Sequence, residues 1–270
     1  MVQTLLFLAL CAAPAGDAGA PERATAFAPG EQLTFKVTVL GVEGAGLHLQ
    51  VDPASVVEGV SAWPVVAQLN SKGALDRVFP VHDHYVAWWD PLTEHAVATR
   101  LSASEGGNRY GYVMRYRRQQ PAPDGGIVVN VDHRDGTSVE KLVRSLDPEV
   151  EDFLAALYWL RTRPLRAGEE DSVPIFMGQV QWKLVARVVG VETVELDTRK
   201  ESCVHVRMSA QFSGPMGNKR DLDVYFSDDA SHTPVLMDSE LLLGHFRAEL
   251  VDVRIFKDPP PPKSVEQLVP

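Results

Sequence analysis

The chain has 270 residues, 45% of them hydrophobic and 23% charged, with 36 acidic against 26 basic side chains. That length and apolar content suffice for one large domain with a real core, and they exclude a disordered body. The formal net charge of -10 argues against a nucleic-acid binder, whose phosphate contacts need clustered Lys and Arg.

The one long apolar run, Leu5 to Ala13, sits at the extreme N-terminus and is too short to span a bilayer as a helix. Small residues follow it, with Ala-x-Ala cleavage patterns at Ala13-Pro14-Ala15 and Ala18-Gly19-Ala20. This layout predicts a secretory signal peptide over residues 1–20, although no Lys or Arg precedes the apolar run. The expected location is therefore periplasmic or secreted, with no transmembrane segment in the mature chain. Cys11 leaves with the signal, so Cys203 stands alone and the fold must rest on its core instead of disulfides. Cys203 reads as a structural thiol.

From Glu31 onwards the chain is strand-like. Leu33, Phe35, Val37 and Val39 alternate with Thr34, Lys36 and Thr38, a period of two that puts one face on a core. A turn through Gly41 to Gly46 leads into Leu47–Val51, completing a hairpin. Similar runs recur at 64–69, 84–89, 96–101, 110–117, 127–131 and 139–143. After a gap they resume at 182–189, 191–196, 204–212, 222–226, 235–242 and 246–255. Turn residues such as Gly106-Gly107, Asp124-Gly125-Gly126 and Asp135-Gly136 separate many of them. The pattern predicts a mainly β protein: a curved antiparallel sheet, open barrel or sandwich of about a dozen strands. A single β-rich domain is expected over residues 21–257.

The gap holds one helix, expected from Pro148 to Arg163. Asp147 is the expected cap, and Val150, Phe153, Leu154, Leu157 and Leu160 share one face at three-and-four spacing. Pro164 and Gly168 stop the run. Such a helix must pack its apolar face on the sheet. The segment Asp258 to Lys263, with four consecutive prolines, reads as part of an extended C-terminal tail over 258–270.

Three stretches resemble an uncharacterised family of exported bacterial proteins, domain-of-unknown-function family 3108. They are Phe27 to Phe35 with Gly41 and Gly46, the helix end Ala155 to Arg161 with Pro164, Leu165 and Gly168, and Val224 to Val235 with Gly244 and Leu250. The resemblance covers roughly Ala26 to Asp252. It implies export to the bacterial envelope and a β-rich fold, and it carries over no activity and no site residues.

Catalytic and metal chemistry have little support in the residues. His82-Asp83-His84 offers two imidazoles on one strand face with Asp83 pointing away, two ligands at best, so no metal site and no cofactor are expected. Asp132 to Gly136 sits where a hairpin turn is expected, and Ser227-Asp228-Asp229 reads as a turn as well. Nucleophile elbows, metalloprotease helices and phosphate-cradling glycine loops do not occur.

The aromatics point to binding. Tyr110, Tyr112, Met114 and Tyr116 line one strand face, Trp88 ends another strand, and Tyr158 and Trp159 end the helix. Together they form a candidate groove for an acyl chain or apolar peptide, and Arg115 with Arg117 on the other face are placed to meet an acidic head group. The leading expectation is a non-enzymatic envelope protein that binds a lipid, another apolar ligand or an envelope partner. A packed scaffold or interaction module without a cavity is the first alternative, and a hydrolase is the second.

Overall fold

The computed structural model describes residues 26–212, 220–241 and 244–257. The expected signal peptide and proline-rich tail lie outside these residues.

The first half of the sheet comprises β1 (Glu31–Val39), β2 (Val42–Val51), β3 (Ser55–Val57), β4 (Val60–Ser71), β5 (His82–Asp90), β6 (His95–Glu105), β7 (Asn108–Pro121), β8 (Ile127–Asp135) and β9 (Ser138–Leu146). The second half comprises β10 (Glu170–Met177), β11 (Val180–Glu195), β12 (Lys200–Phe212), β13 (Arg220–Ser227), β14 (Pro234–Leu241) and β15 (Gly244–Ile255). Each half is an antiparallel meander. Pairing of β1 with β15, from Glu31↔Ile255 to Val39↔Phe246, joins them into one sheet ordered β10 to β15, then β1, β2 and β4 to β9. The short β3 pairs only with β4. The sheet does not close on itself: β9 and β10 are its two edges.

Alternation along the strands decides which face is inside. Leu33, Leu49, Ala67, Tyr85, Leu101 and Tyr112 are successive register partners across six strands and form one inward row. Gln32, Gln50, Val66, Val86, Arg100 and Val113 form the adjacent outward row. Two pieces of chain cover parts of the outer face. The β3 turn buries Val57 with Ala62, Val66, Val86, Trp88, Val97 and Ala98 in a satellite cluster. The far end of the β11–β12 hairpin reaches β15, where the Asp197 amide donates to the Glu249 carboxylate (2.7 Å) and Arg247 donates to the Glu195 carbonyl (2.7 Å).

The inner face wraps around the helix α2 (Phe153–Arg161), which contacts β4, β5, β6 and β10. Leu154 to Tyr158, Leu160 and Arg161 are all buried, so this helix is enclosed on nearly every side and acts as a plug. It begins later than the sequence pattern suggests. Glu151 makes two backbone hydrogen bonds to β10, at Pro174 and Phe176, which holds residues 150–151 in extended chain. Asp147 consequently caps a turn at Glu149, and the true cap is Asp152, whose Oδ1 accepts from the Leu154 and Ala155 amides at 2.8 and 3.0 Å.

Several elements differ from the sequence expectation: β2 already begins at Val42 inside the expected turn, β3 is not among the expected runs, and the runs at 182–189 and 191–196 are one strand, β11. A short helix α1 (Gly73–Val78) buries no residue, so it leaves no amphipathic pattern, and the described residues hold two helices instead of the one expected. The strand β10 falls in the expected gap; its Pro174 is tolerated because the strand is an edge. Asp132 and His133 belong to β8 itself, and the turn follows them. Among the described residues no helix is long and apolar enough to cross a membrane.

Candidate functional site

The open side of the sheet lies between β9 and β10, and the segment from Asp147 through α2 fills it. Glu151 ties edge strand β10 to β6 and β7 across this opening. Its backbone pairs with β10, while its buried carboxylate accepts from the Ala96 amide (2.9 Å), from His95 Nδ1 (2.5 Å) and from Arg118 Nη2 (2.8 Å) on β6 and β7. Arg118 also donates to the Pro148 and Val150 carbonyls. The β10–β11 turn rests on the inner face of β7, where the Gly178 amide donates to the Met114 sulfur (3.2 Å). Gly178 has φ +71, and a Cβ there would lie 2.8 Å from the Tyr112 ring, so only glycine fits this approach.

At the other end of α2, Arg161 is buried and makes a two-pronged ion pair with Glu31, at 2.6 and 2.7 Å. Its guanidinium also donates to the Ser231 carbonyl (3.2 Å) and stacks over the Phe27 and Tyr158 rings. His232 Nδ1 donates to the Arg161 carbonyl (2.9 Å). Glu31, Arg161 and the Ser231-His232 pair come from the three stretches that carry the family resemblance, and here they meet at one point.

The expected aromatic groove is not one surface. Tyr112, Met114 and Tyr116 do point inward together, but they are packed core, as is Tyr158, whose ring meets Phe27 edge-on at 4.7 Å. Tyr110 is exposed at the strand end and donates to Glu105 (2.9 Å). Trp159 is half-buried under the Arg163 guanidinium. Trp88 lies on the opposite face of the sheet in the β3 satellite cluster; its neighbour Trp89 is the one that enters the core. Arg115 and Arg117 are not free to meet a head group, since Asp132 and Glu58 pair Arg115 and Glu58 pairs Arg117.

An apolar pocket does exist elsewhere. A cavity of about 240 Å3 opens between the start of α2 and the inner wall of β11 to β15, lined by Phe153, Trp182, Leu184, Met208, Leu222 and Phe246. Phe153 and Trp182 face each other at 6.3 Å, and both are only partly buried. Phe153 sits in the helical pattern and the other lining residues in alternating runs, but five separate elements contribute them, so no local pattern marks the pocket. Nucleophilic chemistry finds no better footing: burial pushes the Cys203 thiol up to about 12, and His205 is held between Glu192 and Asp223, both at 2.6 Å. His82 contacts Asn70 and Asp76, and Asp83 turns inward to the Ser104 amide. Among the described residues no group of three or more His, Cys, Asp or Glu is arranged to hold a metal ion.

An open, β-barrel-like antiparallel sheet plugged by a buried helix is the class of protein these elements define. The family model for a protein of unknown function, DUF3108, matches residues 33–251, and the chain belongs to that family. Among solved structures it is similar to a β-barrel-like protein of the domain of unknown function DUF1849 from Brucella abortus, at 8% identity and a TM-score of 0.57, over 84% of this chain and 98% of that one. A protein with a YmcC-like fold from Bacteroides fragilis aligns at 12% identity and a TM-score of 0.33, over 84% of this chain and 96% of that one. No curated protein matches the chain.

Two outcomes follow from the buried charges. Removing one partner of the Glu31–Arg161 pair strands the other in the core, so Glu31→Gln or Arg161→Met should each cost about 3–5 kcal/mol in chemical denaturation. The double variant should recover much of that loss; strictly additive losses would show that the two side chains act independently.

The Asp152 carboxyl is shifted in the opposite direction from a salt-bridged carboxylate. Burial pushes its carboxyl up to about 7, the neighbouring Glu151 charge adds to this, and Oδ2 has no hydrogen-bond partner. Tyr85, Tyr112 and Tyr116 also face it. The native state keeps a proton that an unfolded chain, with its carboxyl at about 3.9, releases. The stability from this group is therefore complete below about pH 4 and lost as pH rises through about 7. Asp83, raised to about 6 chiefly by burial, contributes in the same direction. Measured stability should fall over this window, and Asp152→Asn should flatten the fall; an unchanged slope in the variant would exclude Asp152 as its source.

Proposed function

We propose that the protein is an exported, non-enzymatic envelope protein that holds one apolar chain at the mouth between α2 and the β11–β15 wall. The observation that carries this reading is the pocket lined by Phe153, Trp182, Leu184, Met208, Leu222 and Phe246. Half-buried aromatics around an apolar hollow are the usual makeup of a hydrophobic ligand site. At about 240 Å3 the pocket is smaller than the roughly 300–1,000 Å3 that encloses a drug-sized molecule. It suits one end of an acyl chain instead of a whole lipid. Export rests on the apolar run and cleavage patterns of residues 1–20. The absence of an activated nucleophile at Cys203 supports a binding role over a hydrolytic one.

A packed interaction module is the alternative, favoured by the burial of Tyr112, Met114, Tyr116 and Tyr158 in a filled core. A fluorescent polyene fatty acid separates the two. Binding should be saturable, with energy transfer from Trp182 that is lost in Trp182→Phe. A charge placed in the pocket by Leu222→Glu should weaken binding by about tenfold or more. Failure of the probe to bind the wild-type protein, or equal binding by Leu222→Glu, would return the interaction-module reading.

A further inference from the structure

The outer face of β6 to β9 carries an arrangement that neither the core nor the apolar pocket uses. A groove of about 570 Å3 runs across these strands. Arg100 lies in it with only 7% of its surface exposed, on the same outward row as Val113, Asp132 and Lys141. Arg134 lies on the next outward row, opposite Gly111 and Ser102, and Arg109 flanks them on β7. Among the described residues Arg100, Arg109, Arg134 and Lys141 have no carboxylate at ion-pair distance, because Asp132 is taken by Arg115. Gly111 leaves the floor bare, and a Cβ there would strike the Leu101 carbonyl oxygen at 2.2 Å.

A buried guanidinium remains charged at any physiological pH, and a buried charge is retained only where something compensates it. Here a neighbouring charge has the same sign: burial and the Arg134 charge together disfavour the protonated form of Arg100. This concentration of positive charge stands on a chain with a net charge of -10. Planar guanidinium forks that line one groove together with Ser102 match an oxyanion with several equivalent oxygens. We propose that this groove is a binding site for a phosphate group, presented by a soluble phosphomonoester or by an anionic lipid head group. The site is independent of the apolar pocket on the inner face.

The test is a calorimetric titration with inorganic phosphate and with glycerol phosphate at low ionic strength, using wild-type protein, Arg100→Gln, Arg134→Gln and Arg187→Gln. Arg187 is an exposed arginine on β11, remote from the groove, and its variant controls for net charge. Wild-type protein should bind and gain thermal stability with added phosphate. Arg100→Gln and Arg134→Gln should lose about tenfold or more in affinity, while Arg187→Gln should bind as the wild type does. Arg134 is exposed, so its variant tests the site even where Arg100→Gln alters folding. Flotation with phosphatidylcholine vesicles containing phosphatidic acid, competed by free phosphate, identifies the lipid source; binding in solution without flotation identifies the soluble ester. Absence of both binding and flotation, or an equal loss in Arg187→Gln, would overturn the proposal. Retention of phosphate binding by Leu222→Glu would keep this site distinct from the acyl-chain reading.

Discussion

The fold depends on how an unclosed antiparallel sheet keeps its two edges from opening. An unpaired edge exposes a row of amides and carbonyls, and it leaves a gap into the core. Here Glu151 spans the gap, with its backbone in register with β10 and its carboxylate shared by β6 and β7. Because one residue serves both sides, β10 cannot move away from β6 and β7 without losing these bonds. The helix that follows then lies inside by necessity, since Asp152 starts it at the clasp and Arg161 ends it against β1.

The polar groups at the ends of this helix also set its direction. The guanidinium at the C-terminus complements the helix dipole, and the Asp152 carboxyl accepts from the first-turn amides. Each is held by partners that the reversed helix would not meet: the Leu154 and Ala155 amides at one end, and Glu31 with the Ser231 carbonyl at the other. Buried ion pairs are weak contributors to net stability, but breaking one is costly, so Glu31–Arg161 is better understood as fixing geometry. It joins the start of β1, the end of α2 and the β13–β14 turn, segments up to 200 residues apart in the chain. The DUF3108 match spans all but the first of these, the Glu31 side lying just before residue 33.

Much of this architecture is legible in the chain. Alternation in runs such as Leu33–Val39 identifies strands and their two faces, because the pleat imposes a period of two whatever the tertiary context. The same rule is silent on which face turns inward. Tyr112, Met114 and Tyr116 share a face, as the period requires, yet only the register with Tyr85 and Leu101 shows that face to be core. Adjacent Trp88 and Trp89 must point to opposite sides, and no local signal chooses between them. Asp147 and Asp152 both precede the apolar helical run; the choice falls to Asp152 because β10 claims Glu151, a contact 23 residues away at Pro174. The pocket at Phe153 and Trp182 and the unpaired arginines near Gly111 are assembled across strands, so they become visible only with the register.

Glu151 couples edge strand β10 to β6 and β7 across the open side of the sheet. Amide hydrogen exchange measures this coupling directly, by following the Ala96 amide on β6 and the Phe176 amide on β10 in wild-type protein and in Glu151→Ala. The wild-type amides should be protected to a similar degree, and in the variant both should exchange faster together while β12 to β15 keep their protection. Loss of protection at Ala96 alone, with Phe176 unchanged, would contradict the account and show that β10 is held without the clasp.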